Sequence, residues 1–339
     1  MKILNQRRTS LLRQKIVAYL LSGSLAGLCF GTLPPSQPGW RAEPLKAAAG
    51  KDLNAVYFAD TKRGWVAGDD GLVFRTEDTG RNWTRQSIEA GDDISDIYFR
   101  NKEDGYLLAG ARIYTTEDGG QAWRESQRFA AAQFGGAQPD LYSVRFTSRK
   151  RGWMIGSLSR RDVVVDGLLL ATTDGGTSWV RQTSPVREEL IHLDFAGEKR
   201  GWIVGDRGVI LYTPDGGETW QRQRSGTGAT LYHVDFDDKE RGWAVGERGT
   251  ILRTINGGAT WTRVEVAGLD RTTLLSVKFA DESDGWAVGR GGTILRSSDG
   301  GLTWVEQEGG TKANLFALFV NKRNCWAAGG DGLVLQYER

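Results

Sequence analysis

The sequence predicts an all-β protein, a closed seven-bladed β-propeller with four-stranded blades. Three observations support this prediction. Seven aromatic residues, six of them in a Gly-Trp or Gly-Tyr pair, recur at intervals of 40 to 49 residues: Trp65, Tyr106, Trp153, Trp202, Trp243, Trp286 and Trp326. In six repeats the pair is followed by an Asp/Asn-x-Gly-x-x-Trp turn. The composition of 46 Gly and 13 Trp suits many tight turns and a large apolar plug in each blade.

Each repeat contains the elements of one blade. It opens with an alternating strand such as Asn54–Phe58, and period-2 alternation is typical of a strand with two different faces. A polar turn follows, then Gly-Trp and a strand of small residues, as in Trp243–Gly246. We expect the Gly of this pair to adopt a positive φ. A Gly-x-x-Gly turn then leads to a third strand, as in Thr250–Thr254.

The turn before the fourth strand matches the Asp-box pattern. Its side-chain oxygens can accept hydrogen bonds from the amides of the turn, while its glycines take left-handed conformations. A catalytic or calcium site is usually made once, whereas this carboxylate is repeated blade by blade, so we interpret it as structural. The six copies are Glu77–Trp83, Glu117–Trp123, Thr173–Trp179, Pro214–Trp220, Ile255–Trp261 and Ser298–Trp304.

The seventh repeat lacks a fourth strand. The sequence ends after its third strand, Gly332–Tyr337. The segment Pro38–Leu45, with Trp40, has the character of a fourth strand placed before the first blade. We therefore predict that this N-terminal strand completes the last blade and closes the ring, which removes both sheet edges. The propeller is assigned to residues 36–339.

The first 35 residues form an export signal or membrane anchor. Residues 1–15 are basic and Ile16–Leu33 are uncharged and mostly apolar. Arg7-Arg8 leaves Sec and twin-arginine export open, and Ala26–Cys29 is an imperfect lipoprotein box. Cleavage, lipidation and retention therefore all remain open. In each case we expect an extracytoplasmic propeller, in a thylakoid lumen or periplasm.

Charge and residue counts exclude several classes of function. The chain carries +2, but five cations and no acid lie in the leader, so the remainder carries −3, which argues against nucleic-acid binding. The cysteines, Cys29 and Cys325, are too few for a cysteine metal site and are not expected to form a disulfide. His192 and His233 occupy matching places in two first strands, and we interpret them as pattern residues. We expect no catalytic residue, metal or cofactor.

The repeats resemble those of the photosystem II assembly and stability factor family, through Gly-Trp-x-x-Gly and Asp-Gly-Gly-x-x-Trp in one unit over residues 38–339. The resemblance implies a non-enzymatic scaffold that binds newly made membrane protein, notably a reaction-centre subunit. It leaves open whether this relative serves photosynthesis. The Asp-box also resembles that of sialidases and related glycoside hydrolases, but such enzymes need an acid pair or an arginine cluster and long loops. A cell-envelope propeller with unrelated partners is the other alternative.

The turns between second and third strands supply a candidate partner-binding surface. They project from one face, and blade 3 replaces its turn with the longer insert Ser157–Gly167. Arginine binds carboxylates bidentately, which suits an extended peptide segment of a membrane protein. The alternative is that these turns are merely solvated. The predicted arc consists of Arg112, Arg160, Arg161, Arg207, Arg248 and Arg290.

Two further expectations concern an insertion and the oligomeric state. Phe129–Asp140, between blades 2 and 3, is either a short docking helix or a loose loop. We expect a monomer, associated with the membrane through its leader or its partner.

Overall fold

The computed structural model describes residues 39–321 and 324–338, and within them the predicted seven-bladed propeller is confirmed. Seven antiparallel sheets of four strands follow one another along the chain. The leader assigned to residues 1–35, including Cys29, lies outside the described residues. Blades 1 to 6 are each built from four consecutive strands, and blade 7 takes its fourth strand from the N-terminal end of the described chain.

The strands are numbered in chain order. The fourth strand of blade 7 is β1, Gly39–Pro44. Blade 1 contains β2 to β5, which are Leu53–Phe58, Gly64–Gly68, Val73–Thr76 and Thr84–Gln86. Blade 2 contains β6 to β9, which are Ile94–Phe99, Gly105–Ala109, Arg112–Thr116 and Arg124–Arg128. Blade 3 contains β10 to β13, which are Gln138–Phe146, Gly152–Arg160, Val163–Thr172 and Val180–Arg181.

Blade 4 contains β14 to β17, which are Leu190–Ala196, Arg200–Gly205, Ile210–Thr213 and Gln221–Gln223. Blade 5 contains β18 to β21, which are Leu231–Phe236, Gly242–Gly246, Ile251–Thr254 and Thr262–Arg263. Blade 6 contains β22 to β25, which are Leu274–Phe279, Gly285–Gly289, Ile294–Ser297 and Val305–Glu306. Blade 7 contains β26 to β28, which are Leu315–Val320, Cys325–Gly329 and Leu333–Glu338. Short 3-10 turns are Lys46–Ala48, Asp69–Gly71, Ala131–Phe134, Asp206–Gly208, Arg290–Gly292 and Gly330–Gly332.

The first strand of each blade is the innermost, because first strands contact one another around the ring. Antiparallel pairing places the turns from second to third strand on one side of the ring, here called the 2–3 face. The turns from first to second strand and the Asp-box turns lie on the opposite side, here called the Asp-box face. Backbone hydrogen bonds join the two kinds of turn there within each of blades 1 to 6, for example from Gly216 N–H to the Lys199 carbonyl at 2.7 Å.

Aromatic rings fasten each blade to the next. At five interfaces the second-strand aromatic of one blade stacks on the Phe that ends the first strand of the following blade, as Trp202 does on Phe236 with ring centroids 3.4 Å apart. The same indole donates through Nε1 to the Asp-box carbonyl of Gly257 in that following blade at 3.1 Å. Trp261, the fourth-strand Trp of that blade, meets Phe236 edge-on at 5.8 Å. This interface therefore combines apolar burial with one directional bond, as does that of Trp243, whereas the buried Nε1 atoms of Trp65 and Trp326 have no hydrogen-bond partner among the described residues.

The glycine before the second-strand aromatic serves close packing, and the expectation of a positive φ was wrong. None of these glycines is among the residues with positive φ. A Cβ added at Gly242 would instead meet a ring carbon of Phe236 at 2.4 Å, because the ring of the paired first strand covers the glycine. Blade 7 supplies the exception, since Cys325 is accommodated opposite Val320, where the ring is missing.

The N-terminal strand closes the ring. β1 pairs with β28 from Gly39 opposite Glu338 to Pro44 opposite Leu333. Trp40 lies opposite Tyr337 and meets Trp286 of blade 6 edge-on at 5.2 Å. Blade 7 shows no Asp-box turn within the described residues, and Trp40 and Tyr337 make the contact with Trp286, the second-strand Trp of the preceding blade.

The two irregular segments are ordered parts of blade 3. The insert Ser157–Gly167 continues β11 and β12 as a hairpin with one β-bulge, where the register shifts between Leu158 and Ser159. Phe129–Asp140 contains a short helical turn packed against the blade, and the alternative of a loose loop was wrong. It forms the 3-10 turn Ala131–Phe134, buries Phe129, Phe134 and Ala137, and then joins β10.

The substitution Gly242→Ala is expected to lower the free energy of unfolding by about 1–3 kcal/mol, since the added methyl overpacks against Phe236. In a Phe236→Val background the same substitution should cost less than about 0.5 kcal/mol, because the ring it strikes is gone, as in blade 7. Urea unfolding of the four members of this double-mutant cycle provides the measurement. Gly228→Ala, with open space around its Cβ position, is the control and should be nearly neutral. Equal costs in both backgrounds would contradict the packing explanation.

Candidate functional site

The 2–3 face carries the same short turn in five blades. In blades 1, 4, 5, 6 and 7 a glycine ends the second strand and the third and fourth residues of the turn have positive φ. Glycine fills the fourth place in each of these turns, but the third place varies. It holds Arg207 with φ 52° in blade 4, Arg248 with φ 56° in blade 5 and Gly291 with φ 67° in blade 6. A left-handed Arg is uncommon, because its Cβ crowds the carbonyl, and the conformation points its side chain outward at the tip of the turn.

Three arginines of the predicted arc lie on neighbouring turns of blades 4 to 6. The Arg207 side chain is 77% exposed, and its Nε lies 3.7 Å from the carboxylate of Asp206. Arg248 is exposed, and no ion pair is found for it among the described residues. Arg290 is half-buried and close to Tyr232. Burial and the Glu247 carboxylate raise the pKa of that tyrosine to about 12, against the opposing charge of Arg290.

The other three arginines lie in blades 2 and 3. Arg160 and Arg161 are exposed at the tip of the β11–β12 hairpin, and Arg160 donates to the carbonyl of Gly135 at 2.7 Å. Arg112 begins β8 and is only 25% exposed, with its Nε 3.7 Å from Asp92 and 3.9 Å from Glu125. Its charge is thus shared with two acids, whereas the hairpin tip presents its charges to solvent.

Acids dominate the remaining sector of the 2–3 face. The third turn position holds Asp70 in blade 1 and Asp331 in blade 7, both with positive φ. Burial, together with the charges of Asp69 and Asp93, raises the pKa of the Asp52 carboxyl. The 2–3 face is therefore divided, with arginines on blades 3 to 6 and carboxylates on blades 7, 1 and 2.

The Asp-box acids are held within their own turns. In blade 4, Asp215 accepts a hydrogen bond from the Thr213 hydroxyl at 2.7 Å and another from the Thr219 N–H at 2.9 Å. Such bonds stabilise the ionised form and lower the carboxyl pKa, in Asp174 to about 2. The pKa is also lowered in Asp78, Asp118, Asp215 and Asp299. Carboxylates with so many local donors act as turn staples.

The central channel contains a charged cluster that sequence reasoning missed. His192 and His233 stack with ring centroids 3.7 Å apart, because matching positions on the adjacent first strands β14 and β18 meet in space. Arg145 Nη2 lies 3.1 Å from Nε2 of His192 and pairs with Asp96 at 2.7 Å. On the other side Lys278 pairs with Asp235. The sequence feature that could have indicated this cluster is the equal spacing of polar residues in LIHLDF and LYHVDF.

The channel side chains join neighbouring blades. Asp194 accepts the N–H of Phe236 at 2.9 Å, and Asp235 accepts the N–H of Phe279 at 2.8 Å. Asp96 accepts a hydrogen bond from the N–H of Val144 at 2.9 Å. In each case an acid on one first strand binds a backbone group of the next. These charges therefore have a structural role as ties between blades.

Burial in the channel lowers the pKa of both histidines. Burial lowers the pKa of His192 well below 6.5, and His233, Arg145 and Lys278 contribute to the shift. Burial, Lys278 and Arg145 lower the pKa of His233 in the same way. Asp194 behaves oppositely, since burial and the neighbouring Asp235 raise its pKa. The stacked pair is accordingly neutral near pH 7.

Neither a metal-ligand group nor a membrane-spanning helix is found in the part of the chain that the structure describes. Within residues 39–321 and 324–338 no three His, Cys, Asp or Glu side chains are grouped as metal ligands. Over the same residues no helix has the length and apolar character needed to span a membrane.

A family model described as photosynthesis system II assembly factor YCF48 matches residues 36–127, 83–181, 133–227 and 265–338, which is more than half of the chain. The chain belongs to this family. Within it, the chain is 24% identical over 188 residues to the rice (Oryza sativa subsp. japonica) photosystem II stability/assembly factor HCF136, covering 55% of this chain and 38% of that protein. It is 28% identical over 190 residues to the photosystem II assembly lipoprotein Ycf48 of Prochlorococcus marinus, covering 44% and 56%. The chain thus spans about half the length of these relatives or less.

Solved structures share the architecture of this YCF48-family chain. A structure of YCF48 bound to a D1 peptide superposes with a TM-score of 0.71 at 20% identity, covering 90% of this chain and 96% of that one. The virginiamycin B lyase of Staphylococcus aureus gives 0.71 at 11% identity, covering 89% and 100%. At these identities the likeness concerns the fold alone.

The stability of this YCF48-family propeller is expected to fall as pH decreases below about 6.5. The folded state holds both histidines neutral, so the unfolded chain binds more protons in acid, and each histidine contributes a slope of at most about 1.4 kcal/mol per pH unit. Urea unfolding at pH 7.5, 6.5 and 5.5 measures this slope.

The double variant His192→Asn/His233→Asn is the comparison for that measurement. It keeps Asp96, Arg145, Asp194, Asp235 and Lys278, so the other charged side chains of the cluster are the same in both proteins. The difference between the two pH profiles therefore isolates the histidines, and parallel profiles would rule out their contribution.

Proposed function

We propose that this protein is a non-enzymatic scaffold that assists the assembly or stability of photosystem II from outside the cytoplasm. Membership of the YCF48 family is the observation that carries the proposal, and the names of the rice and Prochlorococcus relatives support it. The proposed partner is an extracytoplasmic segment of a reaction-centre subunit. It is supported by the related YCF48 structure that holds a D1 peptide.

The proposed contact is the arginine arc of the 2–3 face: Arg112, Arg160, Arg161, Arg207, Arg248 and Arg290. Arg207 and Arg248 occupy a left-handed position that blade 6 fills with Gly291. A left-handed Arg costs about 1 kcal/mol or more relative to glycine, so the presence of two of them favours a role for the side chains. The arc, in a body with net charge −3, suits the carboxylates of an extended peptide. Arg112 supports this role least, because Asp92 and Glu125 already share its charge.

The proposed location is a thylakoid lumen or periplasm, with a monomeric propeller held at the membrane by its leader or its partner. The basic and then apolar composition of residues 1–35 supports export. The description of one relative as a lipoprotein and another as chloroplastic is consistent with this location.

The absence of enzymatic activity is also part of the proposal. Hydrolases with Asp-box turns need acids that are free to meet a substrate. Here the Asp-box acids accept hydrogen bonds from their own turns, and the channel acids pair with Arg145, Lys278 and backbone N–H groups. The virginiamycin B lyase shares the fold of this chain at 11% identity, and a shared fold does not imply shared catalytic residues.

The substitution of Arg207, Arg248 and Arg290 by Glu together is expected to release the membrane-protein partner. Each exposed arginine–carboxylate pair contributes about 0.2–1 kcal/mol, so three reversals should weaken binding by one to two powers of ten, and in a salt-sensitive way. The measurement is recovery of photosystem II subunits from solubilised membranes of the source organism with the tagged full chain.

The matched control changes Lys62, Lys102 and Lys199 to Glu. These exposed lysines lie on the Asp-box face, and their reversal alters net charge by the same amount. Both triple variants should keep the melting temperature of the unchanged protein. If the arc variant recovers the partner in unchanged yield, the arc is not the contact. If the control variant loses it equally, net charge rather than the arc is responsible.

The second expectation concerns the hydrolase alternative. The purified protein should not turn over sialosides, glucans or xyloglucan, because no Asp-box acid among the described residues is free to act. A panel of chromogenic and reducing-sugar assays makes the measurement. Turnover that disappears on changing one acid, for example Asp174→Asn or Asp235→Asn, would overturn the assignment as a scaffold.

A further inference from the structure

Blade 3 carries a hairpin that rises above the other turns of the 2–3 face. β11 continues beyond Gly156 to Arg160, and β12 returns from Val163. The hairpin closes on Arg161 and Asp162, with φ of 49° and 62°. Two positive φ values in a two-residue connection are typical of a tight type I′ turn. The extension is therefore paired β-structure with one β-bulge, since Leu158 lies opposite Asp166 and Ser159 opposite Val164.

The base of this hairpin is held firmly. Leu158 and Leu168 belong to a buried cluster with Phe134 of the preceding 3-10 turn. Arg160 donates to the Gly135 carbonyl, and Arg181 donates to Asp166 at 2.7 Å. The Arg181 guanidinium also lies 5.9 Å from the centre of the Phe134 ring. These contacts fix the orientation of the tip.

The tip is apolar on both sides. Val163, Val164 and Val165 are 64%, 37% and 40% exposed. They are three of the seven large apolar side chains that are exposed among the described residues. Val163 and Val164 are successive strand residues and point to opposite sides, and Val165 is the extra residue of a β-bulge, so the exposed valines leave apolar surface on both sides of the hairpin.

The outer edge of β12 has no neighbour over the same stretch of the described chain. β13 pairs only with Leu170 and Ala171, and the Gln182 N–H bonds to the Leu169 carbonyl. No backbone hydrogen bond from beyond β11 reaches 163–167 among the described residues. The tight turn makes Arg160 and Val163 its closing pair, so the N–H and carbonyl of the next residue, Val164, face outward. Such an edge pairs readily with another extended segment.

The charge around the edge favours one kind of segment. Arg160 and Arg161 are exposed at the tip beside it. Asp166 is neutralised by Arg181, which leaves Asp162 as the acid of the tip. The surroundings are thus net positive, at the blade-3 end of the arginine arc. An acidic segment is complementary to them.

We propose that the outer edge of β12 at 163–166 binds an acidic, extended peptide segment as an added antiparallel or parallel strand. The exposed valines at 163–165 receive apolar side chains of the segment, and Arg160 and Arg161 receive its carboxylates. This inference rests on the proposed function, because it assigns the binding mode of the partner segment. The arginine arc alone gives no role to the exposed valines at the hairpin tip, whereas strand addition does.

The test uses a synthetic probe, the acetylated and amidated peptide Glu-Val-Thr-Val-Glu-Val-Thr. The probe is added to the full chain in detergent, and hydrogen exchange is followed by mass spectrometry. At saturation, exchange of the amides at 163–166 should slow at least about fivefold, since the Val164 N–H gains a partner. The control peptide has its central valine N-methylated, which blocks strand pairing, and it should give no protection.

Two variants of the protein test the same edge. Val164→Pro removes the outward N–H at an edge position that tolerates proline, and Val165→Lys keeps the backbone but places a charge on the apolar tip. Either should weaken probe binding at least about tenfold with the melting temperature unchanged. The variant with Arg207, Arg248 and Arg290 changed to Glu should retain probe protection, because the edge is intact. Loss of the partner in that variant with retained protection would separate the two proposals.

Other outcomes overturn the inference. Equal protection by the N-methylated peptide, or protection that persists in both edge variants, would show that the segment does not add as a strand. A dimer in light scattering that Val164→Pro converts to a monomer would assign the edge to a second copy of the chain. Unchanged exchange at 163–166 with the probe at about 1 mM would exclude the edge as a peptide site.

Discussion

The stack of aromatic rings between blades is the interaction on which the rest of the structure depends. At five interfaces the second-strand aromatic of one blade lies on the first-strand Phe of the next, as Trp243 lies on Phe279 with centroids 3.5 Å apart. Nε1 of Trp243 also binds the Gly300 carbonyl at 3.1 Å, so the contact fixes the Asp-box turn as well as the sheet. The glycine beneath the Phe ring and the Asp-box glycines are needed because the rings approach so closely. Much of the pattern that recurs along this chain follows from one packing requirement.

Besides forming the innermost strands of their sheets, the first strands join neighbouring blades through their side chains. Their inward side chains meet across blade boundaries, and in blades 2 to 6 they include ions. A charge removed from bulk water is costly unless it is paired and hydrogen-bonded. Arg145 with Asp96 and Lys278 with Asp235 satisfy that condition, and Asp194 and Asp235 bind backbone N–H groups of the next blade. The neutral histidine pair fits between the two cations, where a third positive charge would be repelled.

The turns of the 2–3 face are free to vary because packing leaves their tips in solvent. The glycine ends of each turn approach a neighbouring backbone closely; a Cβ at Gly208 would lie 2.1 Å from the Thr227 carbonyl oxygen. The tip residue between them has no such constraint, and it is Asp in blades 1 and 7 but Arg in blades 4 and 5. One scaffold thus presents a divided electrostatic surface, and the β11–β12 hairpin adds apolar surface at one end of it. Recognition and stability are consequently carried by different residues of the same repeat.

The sequence by itself determined the number of blades, their four-strand order and the closing strand with Trp40, because period and strand alternation are local properties of the chain. It also indicated that the Asp-box acids serve their own turns, since their partners lie within four residues. Only the tertiary structure decided why the glycine at 242 is required, that His192 and His233 touch, that Arg112 is neutralised and that β12 has an open edge. Each of these depends on which side chains meet across strands or blades. Residues about 40 positions apart become neighbours through the ring, and no local pattern specifies the contacts between them.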